Sequence, residues 1–216
     1  MNRGLSTLVA MLAGLLIAAS AAHAHPHVWV KMKSTVVYGP DGAAIGVRHV
    51  WTFDDMYSVF ATQGLEQKTK GQFTREELQP LAQVNVESLK EYAFFTFAKA
   101  DGKTTPFTDP VDYHLEYNSK DTVLTLFFLL PFKAPVKAKT LHFEVYDPTY
   151  FVDFEWVKKD PVALANPPVG CQFQVAKPPP MSAALAQRLA AIPVDGTVPD
   201  DFSGAQFSNK VSVKCP

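Results

Sequence analysis

The sequence predicts an α+β fold with a mainly antiparallel β core, as one sheet or as two packed sheets, and helices inserted after the first hairpin. Three observations lead there. Short β-branched and aromatic runs, broken by turn residues, recur from residue 27 to residue 214. Two helical patterns with capping residues fall between the first hairpin and the later strands. The 216 residues are 47% hydrophobic, 12% aromatic and only 19% charged, the composition of a chain that buries a core.

The elements follow in order. His27 to Val37 alternates and is strand-like, Gly39-Pro-Asp-Gly42 marks a turn, and Ile45 to Phe53 returns as a second strand. Asp54 and Asp55 open a short helix through Phe60. Thr74-Arg-Glu-Glu77 is a capping box that starts a helix running to about Tyr92, with Pro80 as a point where it breaks or starts late. Strand patterns occupy 94–99, 111–117, 122–130, 140–146 and 150–157, and Leu124 to Leu130 is apolar on both faces, as a central covered strand is. After the Pro178–Pro180 spacer come a short helix, Met181 to Ala191, and a last strand, Phe207 to Lys214.

Residues 1–24 read as a secretory signal. Arg3 supplies the positive start, Leu8 to Ala19 the apolar stretch, and Ala22-His23-Ala24 the cleavage site, with a cut after Ala22 as the competitor. Residues 25–216 then form a single α+β domain of an exported protein, with no stable membrane span after cleavage. Export into an oxidising compartment pairs Cys171 with Cys215. That bridge closes a loop of about 45 residues and stabilises by a few kcal/mol.

Lys and Arg total 20 against 21 Asp and Glu, a net charge of −1. This balance leaves no basic patch for nucleic acid and no polybasic membrane anchor. Enzyme motifs for nucleotide binding, serine hydrolysis or zinc proteolysis are absent from the sequence.

The feature that carries chemistry is His25-Pro26-His27. With cleavage after Ala24, His25 offers a free amine and an imidazole to one ion. His27, two residues on, points to the same face of a strand. Zinc, nickel, cobalt or copper(II) suits such nitrogen donors. Pro26 lacks the amide N–H that copper and nickel chelation through the backbone needs, so side chains must coordinate. If Tyr38 pairs with Ala43 across the turn, Asp54 faces His27 and becomes a third ligand, while His49 joins the apolar face as a core histidine. The competing reading of His25 and His27 is a frayed polar chain start.

Asp112, His114 and Glu116 alternate, as do His142 and Glu144, and each set reads as a solvated strand face or a secondary ligand set. Glu66 to Glu77 has the frame of a calcium loop, but Lys68 and Lys70 stand where acidic oxygens are needed, so no calcium site is expected.

The stretches HPHVWV (25–30), RHVWTFDDMYS (48–58), ESLKEYAFFTF (87–97) and EVYDPTYFV (144–152), the EEL of the capping box, GC and the terminal CP resemble a bacterial periplasmic family catalogued as domain of unknown function 1007. The resemblance implies a periplasmic component of an ABC-type transport system, with a nickel/cobalt permease of the inner membrane as partner. Some members carry an Asp-rich calcium loop where this chain has Glu66 to Glu77.

Together these readings predict a non-enzymatic, transition-metal-binding accessory protein of a metal transport system, with His25, His27 and Asp54 as ligands. Two alternatives stand beside it. One is a copper-dependent oxidative enzyme with a further histidine, His114 or His142. The other is a structural or interaction domain without metal.

Overall fold

The computed structural model describes residues 26–193 and 196–216. The expected signal segment and His25 lie outside the described residues. The described chain has two mostly antiparallel sheets and three α-helices, the α+β class that the sequence predicts.

The first sheet is built on a hairpin of β1 (Val28–Tyr38) and β2 (Ala44–Phe53). With β5 (Val111–Asn118), β6 (Val123–Val136) and β8 (Val152–Trp156), its order is β5-β6-β2-β1-β8. The far half of β1 also pairs with β9 (Val162–Ala165). Both β8 and β9 run parallel to β1, and the remaining pairs are antiparallel. The second sheet has the order β10-β11-β7-β3-β4, from β3 (Thr96–Ala100), β4 (Lys103–Thr105), β7 (Thr140–Val145), β10 (Gln172–Ala176) and β11 (Asn209–Lys214).

Strict alternation puts Val30, Met32 and Val36 of β1 and Val47, Trp51 and Phe53 of β2 on one buried face. The second sheet faces it with Leu141, Phe143, Val145, Val211 and Val213. Asn209 Nδ2 donates to the Phe154 carbonyl at 2.6 Å and links the two sheets. β6 lies between two strands as expected, but only one of its faces is fully buried; Thr125, Phe127 and Leu129 on the other are half-buried.

Helix α1 (Asp55–Thr62) follows β2, and Ser58 on it donates to the Asp54 carbonyl at 2.6 Å and accepts from Leu124 N at 2.9 Å. Helix α2 (Arg75–Leu89) starts on the predicted capping box: Glu77 N donates to Thr74 Oγ1 and Thr74 N donates to Glu77 Oε2. It runs through Pro80 without ending there. Leu78, Ala82 and Val86 give it a buried stripe against β5, where Phe73 meets Tyr117 edge-on at 5.1 Å. The helix stops at Leu89, short of the expected Tyr92. A 3-10 segment (Lys90–Phe95) follows, and its last three residues, Ala93, Phe94 and Phe95, have φ of 51°, 55° and 47°. Each such left-handed non-glycine residue costs about 1–2 kcal/mol. Burial of Phe94 and Phe95 offsets that cost.

Cys171 and Cys215 form the predicted disulfide and join the entry of β10 to the end of β11. Helix α3 (Ala183–Ala190) lies between those strands, capped by Ser182. No helix among the described residues is long and apolar enough to cross a membrane.

Candidate functional site

The hairpin decides where the expected ligands sit. Gly39 N donates to the Ala43 carbonyl at 2.8 Å and closes a loop around Gly42, whose φ is +76°. Tyr38 therefore pairs with Ala44, not with Ala43, and a bulge between Val37 and Tyr38 adds one more step. From Val30↔Phe53 to Val37↔Gly46 the register is displaced by two residues from the predicted one. A shift of two keeps every side chain on its face and changes every partner. His49 is thus buried as expected, but opposite Ser34.

Asp54 consequently stands opposite Trp29 and not His27, correcting the predicted pairing. Trp29 N donates to Asp54 Oδ2 at 2.8 Å, and Asp54 N donates back to the Trp29 carbonyl at 2.9 Å. Asp54 Oδ1 accepts from Tyr57 N at 2.8 Å and caps α1. The carboxylate that was expected to serve an ion thus already serves two backbone donors. Burial raises the Tyr57 phenol pKa, and the Asp54 charge adds to the rise.

His27 is tied to β8. Its N–H donates to the Phe151 carbonyl at 2.8 Å, and its ring lies 4.7 Å from the Phe151 ring, tilted by 37°. The next pairs along this parallel edge are Val28↔Val152 and Trp29↔Asp153. Asp153 therefore falls on the β1 face of Trp29, one step from His27. Burial and then the neighbouring Glu155 raise its pKa, while Lys31 lowers it. Nothing local in the sequence signals this carboxylate, because the β1–β8 pairing joins residues more than 120 positions apart. Among the described residues, no three His, Cys, Asp or Glu side chains gather as a metal cluster. His25 is not among them.

The segment behind His27 is built on Asp147, which is 3% exposed. Its carboxylate accepts from Thr149 N, Thr149 Oγ1 and Val152 N at 2.8–3.0 Å. Gly204 packs so close that a Cβ there would lie 1.8 Å from the Asp147 carbonyl oxygen. The stretch Asp147–Val152 is therefore shaped by its own polar groups before it presents Phe151 to His27.

The other histidines are elsewhere. His114 stacks on Phe127 at 4.7 Å, and its Nε2 lies 3.5 Å from Glu116 Oε1. Its row across the sheet runs through Phe127 and Val50 to Lys33. That places it roughly 14 Å across strands and 20 Å along them from His27. Asp112, beyond a bulge with φ of 51°, pairs with Arg48 at 3.4 Å. Glu116 pairs with Arg75. His142 lies on the outer face of the second sheet, beside Ser212 Oγ at 2.8 Å, on the row of Glu144's strand. Neither His114 nor His142 stands near His27 to complete a copper centre. In the Glu66–Glu77 frame, the Glu77 carboxylate accepts from Thr74 N and Lys68 N, and these bonds hold it below the usual carboxylate range.

A cavity of about 540 Å³ opens beside the chain start, walled by Val28, Val30 and Phe53 of the first sheet, Leu89 of α2, and Phe95. Phe151, the ring that meets His27, also lines it.

A sequence model described as "Protein of unknown function (DUF1007)" matches residues 10–215. An uncharacterized protein of Haemophilus influenzae is 23% identical over 208 residues, which cover 95% of this chain and 97% of that protein. The match reaches from before β1 to Cys215 and takes in both sheets, the disulfide and the Asp147 turn; the chain belongs to the family of proteins of unknown function DUF1007.

Proposed function

We propose that the chain is a periplasmic accessory protein of a transition-metal transport system. In this reading it chelates one zinc, nickel, cobalt or copper(II) ion, its cargo, with the amine and imidazole of His25 and the imidazole of His27. The observation that supports it is the anchoring of His27. A frayed chain start leaves its backbone to water, whereas His27 is half-buried, bonded through its N–H to Phe151 and held against that ring. An imidazole fixed in place loses less entropy on coordination. Asp54, and Asp153 on the neighbouring strand, supply carboxylate charge on the same side. The partner permease in the inner membrane rests on the family resemblance.

The test uses protein secreted with its natural start and confirmed by mass spectrometry to begin at His25. Titration with zinc or nickel is expected to saturate at one ion per chain. His27→Ala lowers the affinity at least about tenfold, or about 1.4 kcal/mol. One extra residue before His25 does the same by carrying the amine away from the imidazole. Acid weakens binding because the ligand nitrogens must be deprotonated. Unchanged binding in both variants would overturn the assignment.

A further inference from the structure

The cavity beside the chain start lies between two covers that share one sheet face. The second sheet and the 3-10 segment cover the β1 side, and α2 covers the β5 side. Between them remain about 540 Å³, lined by seven aromatic side chains among others, including Trp51, Phe53, Phe95 and Phe154. Pockets that enclose drug-sized ligands measure roughly 300–1,000 Å³. Phe95, the last residue of the left-handed turn Ala93–Phe95, is part of the lining. Backbone strain of this kind is concentrated at ligand clamps and active sites.

The lining also defines the charge of the occupant. Among the described residues it contains no Lys, Arg or His. The one acid among its described residues, Asp147, already accepts three hydrogen bonds from Thr149 and Val152. Asn85 accepts from the Tyr57 hydroxyl and donates to the Leu81 carbonyl, and Ser88 donates to the Val84 carbonyl. An ion entering such a site would lose its hydration with nothing to compensate it. Apolar and aromatic surface, by contrast, gains on entry.

We infer that this cavity is a binding site for an uncharged, aromatic or otherwise apolar small molecule, separate from the metal-chelating chain start and independent of it. Phe151 lies in both the wall and the His27 contact, so an occupant would sit directly behind the chain start.

The probe is N-phenyl-1-naphthylamine, an uncharged aromatic dye, titrated into the mature chain in EDTA so that metal plays no part. Its emission is expected to rise and shift to the blue, saturating at one dye per chain. Its anionic relative 8-anilinonaphthalene-1-sulfonate is expected to bind at least about tenfold more weakly. Ser88→Trp and Thr197→Trp, both at exposed lining positions, put bulk into the mouth and lower the dye affinity at least about tenfold while the far-UV spectrum stays that of the parent. Phe60→Ser, on the exposed side of α1 and outside the lining, leaves the affinity unchanged. No emission change with the parent chain would overturn the site. So would parental affinity in both Trp variants, or loss of binding in Phe60→Ser alone, which would put the dye on the α1 surface. Equal affinity for the anionic dye would overturn the uncharged class.

Discussion

At His49 the core face of the first sheet is covered completely, whereas at the other end of the same hairpin that face borders a cavity, and His27 sits there against Phe151. His49 is 0% exposed. Its Nδ1 lies 2.9 Å from Ser34 Oγ, its Nε2 3.4 Å from Thr96 Oγ1 of the opposing sheet, and the Trp51 and Phe128 rings flank it. Burial pushes its pKa down to about 3, so it is neutral in the fold. His27 is half-buried at the sheet's end, with a cavity behind its Phe151 partner. Two histidines of one hairpin thus have different settings: His49 is enclosed between the two sheets, and His27 is half-buried at the sheet's end with its Nε2 buried beside Phe151. A fully buried imidazole such as His49 stays neutral and needs hydrogen-bond partners in place of water.

The largest expected effect tests whether the two ends really differ in packing. Phe128→Ala, at the closed end, should cost about 3–5 kcal/mol in urea unfolding. Phe53→Ala, on the cavity wall, should cost about 2 kcal/mol, because its ring already borders an existing cavity and loses fewer packing contacts. Equal losses would mean that the sheet is covered alike at both ends.

The next effect is the acid response of His49. The unfolded imidazole takes a proton near pH 6.5, while the buried one resists until about 3. Between those values the unfolded chain binds more protons, so stability falls as the pH falls. The contribution is complete above about pH 6.5 and drains at about 1.4 kcal/mol per pH unit below it. In His49→Gln this slope should disappear from a series of urea unfolding curves. A slope that persists unchanged would assign it to other groups.

The smallest effect separates the cap at Asp54 from any ligand role. Asp54→Ala removes the acceptor of both Trp29 N and Tyr57 N and should cost about 1–2 kcal/mol in thermal unfolding. Asp54→Asn retains one oxygen and should cost about half as much. If its metal affinity nonetheless falls tenfold, the carboxylate charge belongs to the chelate; if affinity is unchanged, Asp54 is a cap alone.

α1 shows why burial was hard to read locally. Met56, Val59 and Phe60 form an apolar stripe at helical spacing, yet all three are exposed, and the buried residue is Ser58. The helix is held by hydrogen bonds from Ser58 and by the Asp54 cap. Periodicity reports amphipathicity; it does not report which side the rest of the chain covers.

The sequence by itself determined the α+β class, most of the strands, the capping box at Thr74 and Glu77, the Cys171–Cys215 pair and the burial of His49. Those follow from alternation, short-range caps and the presence of only two cysteines, which are local or combinatorial constraints. It missed β4 and β9, three and four residues long, because such runs carry too little periodicity. Tertiary structure decided the rest. The Gly39–Ala43 loop displaced the hairpin by two residues, so Asp54 met Trp29. Burying Phe94 and Phe95 turned the chain left-handed where a strand was expected to begin at residue 94. The parallel edge β1–β8 set Phe151 and Asp153 beside the chain start, and the gap between two covers of one sheet made the cavity. The physical reason is common to the last three: each depends on contacts between segments far apart in sequence, whose energy exists only once both are in place, whereas the first turned on the backbone of one short loop.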